Sequence, residues 1–137
     1  MAQITNEPIR ILFAEDDDSD FLLIEEALED AGLANPYDRV LDGEQLLARL
    51  RDSQAPKPDI ILLDLNMSPM GGIEALNYIN ADPSLRNIPV VVLTTSQTDR
   101  HKCKELGVAD YRIKPTTQDE LIGILKDVLD CAELVIG

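Results

Sequence analysis

The sequence predicts an α/β fold of five strand–helix units, (βα)5, wound around a five-stranded parallel sheet. Three observations carry that prediction. Short uninterrupted aliphatic runs, Ile60–Leu63 and Val90–Leu93 among them, recur along the chain as expected of strands buried on both faces. Segments with apolar residues at helical spacing lie between them. The length, 137 residues, suits one compact domain, with no internal repeat, low-complexity tract or linker.

Each element can be justified in order. Ile9–Ala14 reads as the first strand. From Ser19 to Ala31, Leu23, Ile24, Ala27, Leu28 and Ala31 take helical spacing, and Gly32 stops the helix. A weaker strand at Tyr37–Leu41 precedes Asp42–Gly43 and a helix carrying Leu46, Leu47 and Leu50. Pro-Lys-Pro at 56–58 ends that helix and introduces the strand Asp59–Leu63. Gly71–Gly72 opens a helix with Ile73, Leu76 and Ile79, which Asp82–Pro83 breaks. Pro89 leads into Val90–Leu93, a short helix spans 98–106 and Gly107 ends it. Ala109–Ile113 is the fifth strand. Thr117 and Glu120 form a capping box ahead of Leu121, Leu125, Val128 and Leu129. Right-handed crossovers make this a doubly wound sandwich, and five strands favour the flavodoxin-like order 2-1-3-4-5. The expected boundaries are a flexible tail at 1–8, the domain at 9–130 and a tail at 131–137. No output domain is expected, because only 23 residues follow Lys114.

Charge narrows the function. Twelve Lys and Arg against 26 Asp and Glu leave a net charge of −14. That balance argues against nucleic acid, which needs clustered cations, and against anionic membrane. Two cysteines and a single histidine make neither a disulfide framework nor a zinc site. The polar start, Met1 to Pro8, has no apolar signal core, and no run is long enough to span a bilayer. The expected location is the cytoplasm.

In such a sheet the functional crevice lies beyond the carboxyl ends of the strands, where strand order reverses. Strand 1 ends in Glu15-Asp16-Asp17-Asp18, strand 3 in Asp64, strand 4 in Thr94-Thr95-Ser96, and strand 5 in Lys114-Pro115. With strands 1 and 3 adjacent, Glu15, Asp16 and Asp64 crowd one mouth. Carboxylates that close repel unless a cation joins them. Oxygen-only ligands select a hard ion, so Mg2+ is expected rather than Zn2+. Thr94 and Lys114 add a hydroxyl and an ammonium. Together these groups suit a tetrahedral, multiply charged anion and phosphoryl transfer to a carboxylate. Taken singly, each has a plainer reading: a solvated acidic run favoured by a helix dipole, a strand end, turn hydroxyls, a surface lysine.

Four pieces then carry a resemblance: Ile-Leu-Phe-Ala-Glu-Asp-Asp (11–17), Pro-Asp-Ile-Ile-Leu-Leu-Asp-Leu-Asn-Met (58–67), Ile-Pro-Val-Val-Val-Leu-Thr-Thr-Ser (88–96) and Tyr-Arg-Ile-Lys-Pro (111–115). In this order and spacing the sequence resembles a response regulator receiver domain over about residues 9–130. Pro-Lys-Pro-Asp and Leu-Thr-Thr-Ser look most like the stand-alone, CheY-like receivers that serve phytochrome kinases. The resemblance implies Asp64 as phosphoacceptor, and Glu15, Asp16, Asp64 and the Asn66 carbonyl as the Mg2+ site. It implies Thr94 and Lys114 as phosphate contacts and Tyr111 as the aromatic switch that turns inward. The plainer alternative for Tyr111 is a half-buried strand tyrosine. Asn66 and Ser96 would tune hydrolysis. The partner implied is a sensor histidine kinase, with homodimerisation or partner docking through helix 4, strand 5 and helix 5. The family's usual Met-Pro-x-Met-Asp-Gly appears here as Met67-Ser68-Pro69-Met70-Gly71-Gly72, with the proline displaced by one and an acid lost.

Such a protein accepts a phosphoryl group and assists its own phosphorylation and dephosphorylation rather than acting as an enzyme on substrates. Three other readings compete. An aspartate-nucleophile phosphatase wants an acid two residues after the nucleophile, where Asn66 stands. A flavin carrier wants a hydroxyl- and glycine-rich loop after strand 1, where acids stand. A phosphorylation-independent docking module would not need the acceptor, metal and lysine positions intact.

Overall fold

The computed structural model describes residues 8–136; all but the last residue of the expected N-terminal tail therefore lie outside the described residues. Five strands, β1 (Ile11–Ala14), β2 (Tyr37–Val40), β3 (Ile60–Leu63), β4 (Val90–Thr94) and β5 (Asp110–Ile113), form one parallel sheet in the order β2-β1-β3-β4-β5. Five helices connect or follow them: α1 (Asp18–Asp30), α2 (Gly43–Arg51), α3 (Gly72–Ala81), α4 (Arg100–Glu105) and α5 (Gln118–Ile136). The predicted fold class and strand order hold.

The two-residue period of the strands divides the core. Ile11, Phe13, Ile60, Leu62, Val91 and Leu93 face one way, against Phe21, Ile24 and Leu28 of α1 and Leu121, Leu125 and Val128 of α5. Leu12, Ala14, Ile61, Leu63 and Val92 face the other, against α2, α3 and the buried Cys103 of α4. Both faces are covered, which is why the three central strands, β1, β3 and β4, contain no alternating polar positions, whereas the edge strands β2 and β5 do.

Local chemistry sets the helix ends. Gly32 and Gly107 take positive φ, 68° and 82°. Each terminates its helix in a Schellman arrangement, with Leu33 N–H donating to Leu28 O and Val108 N–H to Cys103 O. Asp17 caps α1 by accepting from Asp20 N–H at 2.9 Å, and Asp42 caps α2 by accepting from Gln45 N–H at 2.9 Å. One boundary differs from the sequence reading. The segment 131–137, expected as a tail, continues α5 to Ile136, because no Gly or Pro interrupts 124–136 and Ala132 still packs in the core.

The turn after β3 is shaped by glycine. A Cβ on Gly72 would stand 2.6 Å from the Asp64 carbonyl oxygen and 2.9 Å from Leu65 Cα, both backbone atoms that cannot swing aside. α3 can therefore start against the β3 end only with glycine there. Gly72→Ala is expected to lower the unfolding free energy by about 2 kcal/mol, as overpacking does. Urea denaturation checks this, and an unchanged midpoint would contradict it.

Candidate functional site at the carboxyl edge of the sheet

The sheet's own ladder delivers the site residues. β1 pairs with β3 so that Ala14 lies opposite Leu63, and the next residues are Glu15 and Asp64. Asp64 N–H donates to Ala14 O at 3.0 Å, and Glu15 N–H to Val40 O at 3.0 Å. On the other side Lys114 N–H donates to Thr94 O at 2.8 Å, which continues the β4–β5 ladder. The acids and the lysine are thus held by backbone bonds in a buried sheet rather than by a loop.

Glu15 and Asp64 are buried, while Asp16 is exposed. One carboxylate oxygen from each lies within 4.8 Å of the others. Lys114 supplies the opposing charge, its Nζ 2.7 Å from Glu15 Oε1 and 3.2 Å from Asp64 Oδ2. Burial pushes the Glu15 carboxyl up to about 7; the Lys114 hydrogen bond opposes this and the Asp64 charge adds to it. Burial works against the Lys114 charge as well, but the carboxylates Asp20, Glu15 and Asp64 outweigh it and hold the ammonium above its ordinary value. Two buried acids served by one lysine make a site short of positive charge. A divalent ion fits that deficit, and oxygen donors alone favour a hard one.

The acidic run 15–18 divides into separate tasks. Glu15 and Asp16 belong to the cluster, Asp17 caps α1, and Asp18 pairs with Arg39 at 2.8 Å. Asn66 is exposed, and its N–H donates to Asp64 Oδ1 at 3.3 Å, which orients the carboxylate. Thr94 is fully buried, and its Oγ1 accepts from Ser96 N–H at 3.2 Å. The Ser96 hydroxyl donates to Asp99. Tyr111 is 4% exposed, so it is buried rather than half-buried, and its hydroxyl donates to Ser96 O at 2.6 Å. The structure therefore brings Glu15, Asp16, Asp64 and Lys114 together directly. Thr94, Ser96 and Tyr111 form a second, connected group beside them.

Three participants have no counterpart in the sequence reading. Asp20 Oδ2 accepts from Lys114 Nζ at 2.7 Å. Arg39 Nε donates to Glu15 O at 2.8 Å while its guanidinium lies 4.7 Å from the Phe21 ring centre. Arg100 lies 4.8 Å over the Tyr111 ring and donates to Tyr111 O at 3.1 Å. Only Asp20 left a trace in the sequence, as a carboxylate in the first turn of a helix that follows the acidic strand end.

In an open α/β sheet of this order the ligand crevice lies at the carboxyl ends of the strands where strand order reverses, and the acidic cluster and facing lysine stand there. The response regulator receiver domain model matches residues 11–126, and the chain belongs to that family. It is 34% identical to the response regulator Rcp1 of Synechocystis sp., over 93% of this chain and 91% of Rcp1. The crystal structure of the phosphorylated cyanobacterial phytochrome response regulator RcpA superposes with a TM-score of 0.81 at 37% identity, covering 88% of this chain and 91% of that one. The Mn2+-bound form of Rcp1 gives a TM-score of 0.79 at 34% identity over 88% and 91% of the two chains. The expected similarity to phytochrome-associated receivers is therefore found, and the acidic cluster agrees with a divalent metal site.

Tyr111→Phe removes the buried hydroxyl that satisfies Ser96 O and is expected to lower the unfolding free energy by about 1 kcal/mol. Denaturant titration measures this directly; a variant as stable as the parent would show that the bond contributes nothing.

Proposed function

We propose that this response regulator accepts a phosphoryl group on Asp64 from a sensor histidine kinase, with Mg2+ at the acidic cluster. The observation that carries the reading is the joint placement of a buried Asp64, two neighbouring acids and a facing Lys114 at one sheet edge. Red-light kinases of the phytochrome type are the proposed donors. The names of two relatives support this: RcpA is a phytochrome response regulator, and RPA3017 acts in red light signalling of R. palustris, with 29% identity and a TM-score of 0.78. The cytoplasm, where such kinases present their phosphohistidine, is the proposed location.

The chemistry follows from the side chains. A carboxylate oxygen of Asp64 attacks phosphorus, the phosphorus–nitrogen bond to the donor imidazole breaks, and the electron pair leaves with the imidazole. Glu15, Asp16, Asp64 and the Asn66 carbonyl would hold Mg2+, which supplies positive charge to the phosphoryl oxygens. Lys114 supplies the complementary charge from the β5 side. This is a stoichiometric acceptor rather than an enzyme, and the exposed Asn66 and half-buried Ser96 flank the acyl phosphate where they would affect its hydrolysis.

The acyl phosphate adds about −1.5 to −2 charges beside Thr94. Thr94 Oγ1 turning toward it would give up the Ser96 N–H, and Ser96 O is the acceptor for Tyr111. The displacement would therefore reach Tyr111 and Arg100 and bias the surface of α4, β5 and α5, the proposed face for a partner or a second copy.

Intact-mass measurement after incubation with acetyl phosphate tests the reading. A gain of one phosphoryl group that requires Mg2+ and is absent in Asp64→Ala is expected. A chain that gains none from either acetyl phosphate or a histidine kinase would instead be a docking module.

A further inference from the structure

Lys114 has three N–H donors, and three carboxylates take them up, so a phosphoryl oxygen would be a further acceptor. Nζ lies 2.7 Å from Glu15 Oε1, 2.7 Å from Asp20 Oδ2 and 3.2 Å from Asp64 Oδ2. The contact with the acceptor is the longest of the three. Asp20 stands outside the carboxylate group suited to a cation. It reaches Lys114 from the first turn of α1, a turn fixed by the Asp17 cap on its own N–H. The lysine is confined from the other side. Leu23, Ile24, Leu93, Pro115 and Leu121 line an apolar slot with Asp20 and Lys114, and the lysine side chain is 15% exposed. With its four-carbon stem packed in that slot, the ammonium is shared among the three carboxylates at its end.

We propose that Asp20 is a positioning residue that restrains Lys114, sharing its ammonium and competing for it with a phosphoryl group on Asp64. The inference rests on the proposed role of Asp64. Two effects act in the same direction. Charge-assisted bonds are the strong ones, so the Asp20 bond holds the ammonium toward α1 when negative charge builds on the phosphoryl oxygens. The Asp20 carboxylate also repels those oxygens. Asp20→Asn keeps the shape and removes the charge, which frees the cation for the phosphoryl group. Asp20 is 38% exposed in its side chain, so solvent screening limits the gain to about two- to fivefold at low salt.

The test uses the full chain at saturating Mg2+ and beryllofluoride as a phosphoryl mimic, with binding followed by fluorine NMR. Wild type, Asp20→Asn, Asp20→Glu and Asp64→Ala are compared at low and high salt. The expected result is tighter binding by Asp20→Asn by about two- to fivefold at low salt, shrinking at high salt. Asp20→Glu should bind as wild type does. Unchanged or weaker binding by Asp20→Asn, with wild-type binding intact, would overturn the restraint and leave Asp64 as the acceptor. A gain that is insensitive to salt, or that Asp20→Glu shares, would overturn it too, since packing rather than charge would be the cause. Wild type that binds no better than Asp64→Ala would overturn the role of Asp64 and the inference with it.

Discussion

The attraction between the Lys114 ammonium and the buried carboxylates of Glu15 and Asp64 is the interaction on which this structure turns. Parallel pairing of β1 with β3 forces the two acids to leave the sheet side by side, one residue beyond the Ala14–Leu63 register pair. Their crowding is therefore a consequence of topology. Burial makes it costly, because charges in a low-dielectric edge cannot be screened by water as surface charges are. Burial accordingly pushes the Glu15 carboxyl up to about 7. Lys114 offsets part of it, and the remaining deficit of positive charge is what suits the site to a divalent ion. The same compactness explains Gly72, since α3 begins against the carbonyl of Asp64 and leaves no space for a side chain.

A second set of bonds leads away from the acids to the surface. Thr94 is fully buried at the end of β4 and accepts from Ser96 N–H; Ser96 O accepts from the Tyr111 hydroxyl; Arg100 covers the Tyr111 ring. Each link joins β4, β5 or α4, and none depends on α1 or α2. Thr94 thus has a short, hydrogen-bonded route to one face of the molecule, along which the proposed phosphorylation of Asp64 would act, while the opposite edge, with β2 and the Arg39, Arg49 and Asp38 pairs, stays outside it. A local electrostatic change acting on a connected packed group is the general form of such switches.

Much of this was legible in the sequence, and the reason is specific. Strands buried on both faces announce themselves as aliphatic runs, and the crevice rule then points to the residue that follows each run. Glu15, Asp64 and Thr94 follow such runs; Lys114 follows the more polar β5 and was found from the strand–helix alternation instead. Asp20, Arg39 and Arg100 were not, because their roles depend on where a helix turn or a long side chain lands after packing. Arg39 sits on the weak strand β2, where charge alternates without an apolar period, and its bond to the Glu15 carbonyl has no sequence signature. The acidic run 15–18 looked uniform as sequence, yet its members cap, pair or cluster according to one-residue differences in direction. The continuation of α5 past 130 was missed for a simpler reason: the absence of a helix breaker is weaker evidence than its presence.

The claim that Lys114 and a divalent ion answer the same charge deficit is tested most directly by unfolding Lys114→Met and wild type in urea, each with and without Mg2+. Without the ion the variant should be less stable by about 3 kcal/mol, the cost of leaving buried acids unpaired. Mg2+ should then add more stability to the variant than to wild type, because in the variant it meets carboxylates no longer bonded to an ammonium. Equal stabilisation of the two proteins by Mg2+ would contradict the account.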